Sequence, residues 1–234
     1  RRGPGLACSR ERNILRGMSE FDFDAVVIGG GSAGFAAART LVSAGSRIAV
    51  VEGGTEVGGL CILRGCMPTK ALLHAAELRQ GIRAAEAWGI QASGVSVDLP
   101  ALFARKDALI AGFAGYRRRQ LEEGRWEFIR SRARFLDPHR IGFPDGRTLT
   151  ARHFIIATGS EIAPAPVPGM ADAGYLCSDS ALRLDRLPES LVVLGGGAVA
   201  LEFAQFFSRL GTRVTVLQRS GQLLRGLDAD VAGA

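Results

Sequence analysis

The sequence predicts an α/β protein, because a short β-branched run, a glycine-rich turn and a helical run follow one another twice along the chain. The first series occupies about residues 23–44 and the second about 191–210, and another short apolar run follows each. Between them, residues 126–157 alternate β-type runs with turn residues. Short apolar strands separated by helices are typical of a buried parallel sheet.

The first glycine turn shows G-x-G-x-x-G spacing in the context that this motif requires: strand, turn, helix, strand, acid. Gly29 permits the tight turn, Gly31 lets the backbone approach a pyrophosphate, and Gly34 allows close helix–strand packing. Glu52 ends the second strand, where an acidic side chain binds ribose hydroxyls. These residues predict a Rossmann-like βαβ unit that binds a dinucleotide, with Ser32 and Ala33 opening its helix.

The second glycine turn predicts the start of another Rossmann-like unit. Gly195 and Gly197 occupy the first two glycine positions, and Ala200 takes the third, which is a tolerated variant. The following strand ends in Gln218-Arg219, with no acid for ribose hydroxyls. Arg219 and Arg225 therefore favour a 2′-phosphate, and so NADPH over NADH. The alternative is that both arginines are ordinary surface residues.

Between the two turns, Cys61 and Cys66 lie five positions apart in the segment 58–70. Residues five apart in a regular helix have Cα atoms about 8 to 9 Å apart, whereas a disulfide needs roughly 4.4 to 6.8 Å. The two cysteines can therefore pair only if Cys61 lies in an irregular loop or distorted turn, which the flanking glycines allow. Cys66 is expected at a helix start, where a thiolate is stabilised. The alternative is two buried cysteines with no redox role.

The middle of the chain is expected to be helical over about 69–123, with a break at 89–100, and then to form strands at 126–130, 133–136, 148–152 and 154–157. On the second helix, apolar side chains at three-to-four spacing predict a core-facing stripe that includes Phe103, Leu109 and Phe113. Three prolines at 164, 166 and 168 mark a linker.

Composition and charge narrow the functional classes. The formal charge is +6, but residues 1–17 hold five Arg and one Glu, so the remainder is nearly balanced and does not predict a nucleic-acid surface. No apolar run reaches the roughly 18 residues of a membrane span, and no metal-ligand spacing is present. Four cysteines without a secretion signal indicate a cytoplasmic protein whose disulfides would be catalytic, with Cys177 a small buried residue.

Two dinucleotide turns, with Cys-x4-Cys-x-Pro-x-Lys just after the first βαβ unit, resemble the FAD-dependent pyridine nucleotide–disulfide oxidoreductases. This family includes dihydrolipoamide dehydrogenase, mercuric reductase and glutathione reductase, and the resemblance covers residues 22–234. It implies that Cys61 exchanges with substrate, Cys66 faces the flavin, Lys70 lies near the flavin N5 and Glu202 is the acidic partner of Lys70. The implied cofactor-binding residues are Gly29, Gly31, Ser32, Ala33, Gly34, Glu52, Gly59, Leu60 (a threonine in most of the family), Lys70, Ala133, Ala157, Thr158 and Gly159 for FAD, and Gly195, Gly197, Val199, Arg219 and Arg225 for the nicotinamide nucleotide.

The resemblance also implies a domain plan. Residues 1–21 would be a disordered extension, 22–165 a Rossmann-like FAD-binding domain (βαβ with a β-meander), 166–187 a linker, and 188–234 the start of a Rossmann-like NAD(P)-binding domain. The dimerisation domain and the C-terminal His–Glu pair of the family would lie outside this sequence.

By the same resemblance, the full-length homodimer would move a hydride from NADPH, or less favourably NADH, through FAD to the Cys61–Cys66 disulfide. From there, electrons would pass to a disulfide or mercuric substrate, as in dihydrolipoamide dehydrogenase or mercuric reductase. The alternatives are an enzyme of the glutathione reductase type, suggested by Ser32 and Arg39, and a catalytically incomplete nucleotide-binding fragment.

Overall fold

A computed structural model describes residues 20–164 and 167–233. Within that range the chain forms two compact units. Unit 1 is the described part of Arg1–Gly59 together with Arg117–Gly159, and unit 2 is Leu60–Tyr116 together with the described part of Ser160–Ala234. The extension expected at 1–21 lies almost wholly outside the described residues. The functional domain boundaries at 166 and 188 stay a prediction.

Unit 1 is built on six strands and one helix of its own. The elements are β1 (Phe23–Ile28), α1 (Ser32–Ser43), β2 (Ile48–Glu52), β3 (Glu127–Arg130), β4 (Arg134–Asp137), β5 (Arg140–Gly142) and β6 (Thr148–Ile156). The strands form one sheet with the order β3-β2-β1-β6-β5-β4. Strands β3, β2, β1 and β6 run parallel, whereas β6, β5 and β4 form an antiparallel meander. This arrangement, with α1 as the helix between β1 and β2, confirms the predicted Rossmann-like βαβ unit with a β-meander.

The apolar runs of the central strands bury both faces of this sheet. Val26 packs into one core cluster with Val51 and Ile141, while Val27 packs into another with Val50. Val26, Val27 and Val50 are fully buried, and β1 and β2 pair in parallel with Val27 opposite Val50. A strand whose two faces are both covered reads as a continuous apolar run rather than an alternating one, which is why the sequence identified it.

The meander differs from the sequence prediction in two ways. Strand β6 is one continuous strand, Thr148–Ile156, where two strands separated at His153 were expected. Strand β5 (Arg140–Gly142) was not predicted, since three residues are too few for a period-2 pattern to be recognised. Its pairing is tertiary: Ile141 lies opposite Leu149 of β6 and is fully buried.

Unit 2 combines helices with a parallel pair of strands, β7 and β8. A single core cluster fills it, centred on Leu72, Phe206 and Phe207. The expected stripe on α4 is only partly correct, because Phe103 is buried while Leu109 and Phe113 are 42% and 44% exposed. The elements are α2 (Gly59–Leu63), α3 (Cys66–Ala84), a 3₁₀ helix (Ala85–Trp88), α4 (Leu99–Glu122, whose last turns belong to unit 1), α5 (Ser178–Ala181), β7 (Ser190–Leu194), α6 (Ala198–Arg209), β8 (Arg213–Leu217) and α7 (Ala229–Gly233).

Among residues 20–164 and 167–233, no helix combines the length and the apolar character needed to cross a lipid bilayer.

Candidate functional site

The first glycine turn connects β1 to α1 in a conformation that only glycine tolerates. Gly29 has φ of +110°, and its N–H donates to the carbonyl of Val51 at 2.7 Å. A Cβ at Gly29 would lie 2.2 Å from the carbonyl oxygen of Ala157, and a Cβ at Gly34 would lie 1.8 Å from that of Gly29. The turn is therefore packed backbone against backbone, and it joins the segment of Gly29 and Gly34 to Ala157, which is distant in the sequence.

The start of α1 offers backbone N–H groups to an anionic ligand. Its N-cap residue, Gly31, gives no side-chain cap, and no acidic residue lies in the first turn, which Ser32 and Ala33 open. Gly59 contacts this turn directly: with φ of +72°, a Cβ there would lie 2.5 Å from the Cα of Gly31. Uncapped N–H groups at the end of a 12-residue helix fit a pyrophosphate.

The carboxylate of Glu52 holds the turn from the end of β2. Its Oε2 accepts from the N–H of Gly30 and its Oε1 from the N–H of Gly54, both at 2.7 Å. A carboxylate has about four acceptor positions, so two remain for ribose hydroxyls. The glycine motif predicts Glu52 as a ligand-binding residue, but its hydrogen bonds to the glycine turn are visible only in the structure.

Arg130 is a residue of this region that sequence analysis missed. It ends β3, and its Nη2 donates to the carbonyls of Gly54 and Thr55 at 2.7 and 3.2 Å, thereby fixing the loop after Glu52. A lone arginine at a strand end carries no sequence signal for this contact. Of the remaining implied residues, Ala133 packs against the cluster around Val26, while Thr158 and Gly159 follow β6 and are exposed.

The second glycine turn repeats the geometry of the first inside unit 2. Gly195 has φ of +106° and donates its N–H to the carbonyl of Leu217 at 2.8 Å. Gly197 is the N-cap of α6, again without a side-chain cap and without an acidic residue in the first turn, where Val199 is 59% exposed. The two turns thus share a strand–glycine–helix geometry suited to a dinucleotide phosphate.

The end of β8 differs from the end of β2 in its chemistry. Gln218 follows Leu217 as Glu52 follows Val51, but its Nε2 donates to the hydroxyl of Ser220 at 2.7 Å and to the carbonyl of Gln222 at 3.1 Å. An amide in this position gives no negative charge to repel a phosphate. Arg219 and Arg225 are both exposed on the loop that follows.

The two cysteines lie on either side of a break between helices. Cys61 is half-buried in the short helix α2, where an irregular loop or distorted turn was the condition set for pairing, and Cys66 is the exposed first residue of α3 as expected. The irregularity lies instead at Gly65, which has φ of −116° and ψ of −115°. Cys66 is a thiol in this structure, so the Cys61–Cys66 disulfide is not formed here and the pairing stays a prediction.

Lys70 and Glu202 form an ion pair that joins α3 to α6. Lys70 lies four residues, about one turn, after Cys66, and Glu202 lies on the helix that begins at the second glycine turn. Nine positions after Lys70, Arg79 donates through Nη1 to the carbonyl of Arg209, the last residue of α6. Leu72 and Phe203 pack in the core cluster of this unit.

Two further features escaped the sequence analysis. Arg64, between the cysteines, pairs with Asp179 of α5 at 3.8 Å. Cys177 is half-buried rather than buried, and it is the N-cap of α5. A hydrogen bond from the Ser180 side chain, followed by one from its backbone, lowers the pKa of the Cys177 thiol. The Arg64–Asp179 contact has no signal in local sequence, whereas Cys177 and Ser180 have the N-cap and N3 spacing of a capping box.

The fold and these sites together define an α/β protein with two glycine turns of the dinucleotide-binding type and a cysteine-bearing helix. A family model described as pyridine nucleotide-disulphide oxidoreductase matches residues 23–234. The chain belongs to this family.

Relatives of similar identity have different enzyme names. The chain is 38% identical to a mercuric reductase of Staphylococcus aureus (91% of this chain, 39% of the relative), and 37% identical to a glutathione reductase of Burkholderia cepacia (92% and 47%). It is 39% identical to a dihydrolipoyl dehydrogenase of Thermus scotoductus (90% and 45%). The solved Cu(II) complex of the HOCl-induced flavoprotein disulfide reductase RclA from Escherichia coli is similar, with a TM-score of 0.73 and 30% identity (89% and 45%). The chain therefore spans about half the length of these relatives or less.

Proposed function

We propose that this chain is the dinucleotide-binding and thiol-bearing part of an FAD-dependent NAD(P)H:disulfide oxidoreductase. The observation that carries the proposal is the Lys70–Glu202 ion pair. It links the helix that begins at Cys66 to the helix that begins at the second glycine turn, so the reactive thiol and one nucleotide turn belong to a single packed unit.

The residues of unit 1 fit FAD. The uncapped start of α1 would take the pyrophosphate, and Glu52 would accept from the ribose hydroxyls with its remaining lone pairs. Bound FAD would supply the carrier of electrons between a nicotinamide and the cysteine pair. Cys61 would exchange with substrate and Cys66 would face the flavin, while the Lys70–Glu202 pair holds an ammonium one helical turn from Cys66.

NADPH is the proposed nicotinamide cofactor. The exposed guanidinium groups of Arg219 and Arg225 are available for a 2′-phosphate, and the amide of Gln218 replaces the carboxylate that would repel it. The proposed substrate is a small disulfide or Hg(II), of the dihydrolipoamide dehydrogenase or mercuric reductase type, with a glutathione reductase type as the alternative. The proposed assembly is a homodimer of the whole protein, acting in the cytoplasm.

The test is an anaerobic titration of the FAD-loaded protein with dithionite and, separately, with NADPH and NADH. We expect a long-wavelength charge-transfer band between the flavin and a thiolate, which Cys66→Ser abolishes while FAD remains bound. Cys177→Ser is the matched control and keeps the band. FAD bound without a band in the unsubstituted protein would instead indicate a nucleotide-binding module without turnover.

The same titration tests the nucleotide preference. Replacing both Arg219 and Arg225 with alanine should lower the affinity for NADPH by at least about tenfold, the value of one charge-assisted hydrogen bond. The affinity for NADH should stay nearly unchanged. Arg213→Ala removes another exposed arginine, at the start of β8, and serves as the control. Equal weakening of both nucleotides would contradict the assignment of these arginines to a 2′-phosphate.

A further inference from the structure

Arg64 lies in the four-residue segment between the two cysteines and on the same helical turn as Cys61. The N–H of Arg64 donates to the carbonyl of Leu60 at 2.9 Å, so the helical hydrogen bonding of α2 continues to this residue. Side chains three apart on a helix are neighbours. Arg64 therefore belongs to the last helical turn before the break at Gly65. Helix α3 begins immediately after this break, at Cys66.

Asp179 is the partner of Arg64 in unit 2. Its Oδ2 lies 3.8 Å from the Nε of Arg64, with the two side chains 29% and 48% exposed respectively. Its other oxygen, Oδ1, is buried and accepts no hydrogen bond within the described residues. A carboxylate that has lost part of its solvation interacts more strongly with a nearby cation. The guanidinium of Arg64 is therefore the group that balances the negative charge of Asp179.

The element that carries Asp179 is itself firmly held. Ala181 and Leu182 at its end are 5% and 4% exposed and belong to the core cluster of unit 2. Lys106, which is also only 5% exposed, donates to the carbonyl of Leu182 at 2.6 Å. Asp179 therefore lies on an element that is held in place by the core. Through the ion pair with Arg64, it restricts the motion of the segment between the cysteines.

We propose that Asp179, acting through Arg64, is a positioning residue for the Cys61–Cys66 pair. The ion pair restrains the turn between α2 and α3, and the shape of this turn sets how far apart the two sulfurs lie. This inference rests on the proposed function, because it gives the pair a redox role. Loosening the restraint lowers the effective concentration of one thiol at the other and disfavours the disulfide.

The readout is the equilibrium of the protein with glutathione, followed by differential alkylation and mass spectrometry of the peptides that carry Cys61 and Cys66. In the oxidising direction the two protein thiols give up two protons and two electrons and form one S–S bond. One glutathione disulfide is cleaved to two glutathione thiols in the same exchange. The equilibrium constant reports the stability of the protein disulfide and needs no flavin.

Asp179→Asn should lower this equilibrium constant by about twofold to fivefold, the range expected of a partly exposed ion pair. Asp185→Asn removes the same charge from an exposed position three residues beyond Leu182 and should leave the constant unchanged. Arg64→Gln should lower the equilibrium constant by a similar factor. The double variant should have a constant no lower than that of either single variant.

A purely structural role for Asp179 would give a different double-mutant cycle. Asp179→Asn would then lower the equilibrium constant even when Arg64 is already replaced by Gln, and this outcome overturns the inference. An equilibrium constant for Asp179→Asn equal to that of the unsubstituted protein also overturns it. If the unsubstituted protein forms no Cys61–Cys66 disulfide at any glutathione ratio, the proposed function fails as well. The two failures are thus distinguishable.

Discussion

At the scale of single residues, Cys177 shows how one hydroxyl changes the reactivity of a thiol. Ser180 accepts a hydrogen bond from the N–H of Cys177 at 2.9 Å, and its oxygen lies 3.5 Å from the Cys177 sulfur. This side-chain contact is the main cause of the lowered pKa of Cys177, and the charge of Asp179 opposes it. A donor to sulfur favours the thiolate, because the negative form is the better acceptor.

Ser180→Ala should therefore raise the pKa of Cys177. The thiolate fraction, and with it the rate of alkylation by iodoacetamide, then falls a few-fold at any pH below the pKa and converges with the unsubstituted rate well above it. Peptide-resolved mass spectrometry over a pH series measures this for Cys177 alone. Ser180→Thr keeps the hydroxyl and should restore the rate, whereas an unchanged pH profile in Ser180→Ala would exclude the hydrogen bond as the cause.

At the scale of elements, the glycine turns are the parts whose structure follows most directly from local sequence. Position 29 requires glycine for two reasons: its φ is +110°, and the backbone of Ala157 leaves no room for a Cβ. Gly45, which follows α1, also has positive φ, at +84°, but a Cβ there would meet nothing within 4 Å. Substitution of Gly45 therefore measures the cost of backbone strain alone, whereas substitution of Gly29 measures strain and steric overlap together.

Gly45→Ala should lower the free energy of unfolding by about 1 to 2 kcal/mol, the cost of a left-handed residue with a side chain. Gly29→Ala should cost about 2 to 6 kcal/mol, because strain and overpacking of the backbone of Ala157 add. Urea unfolding gives both values, and FAD binding should survive only Gly45→Ala. Equal losses from the two substitutions would show that the contact with Ala157 is not rigid.

Sequence reasoning succeeded where a short segment determines its own structure and stopped where distant segments meet. Glycine spacing and apolar runs predicted both turns and the strand–turn–helix–strand succession around each of them. By contrast, the Arg64–Asp179 and Arg130–Gly54 contacts join residues far apart in the chain, and no local pattern encodes them. The exposed faces of Leu109 and Phe113 were also missed, because periodicity predicts an apolar stripe but not what covers it.

At the scale of the whole molecule, the two glycine turns belong to different compact units. Gly29 and Glu52 lie in unit 1, whereas Gly195 and Gln218 lie in unit 2, and each turn is closed by hydrogen bonds inside its own unit. The two proposed cofactors should consequently stabilise separate parts of the backbone.

Hydrogen exchange followed by mass spectrometry can measure this separation. FAD should slow exchange of the amides at 29–35 and 52–54, and NADPH should slow exchange at 195–201. A bound phosphate would accept from the uncapped N–H groups in the first turn of α1 or α6 and would stabilise the adjoining segments. The β4–β5 hairpin, Arg134–Gly142, is the internal control and should respond to neither ligand. Protection of 29–35 by NADPH alone would reverse the assignment of the two turns.

The rarity of lysine gives the Lys70–Glu202 pair a practical use. This sequence has 27 Arg but only two Lys. The Lys70 side chain is 59% exposed, whereas Lys106 is 5% exposed. An amine-acylating reagent should therefore attach a spectroscopic reporter at Lys70 and, within the described residues, at no other side chain, which places a label one helical turn from Cys66 without engineering a new attachment point.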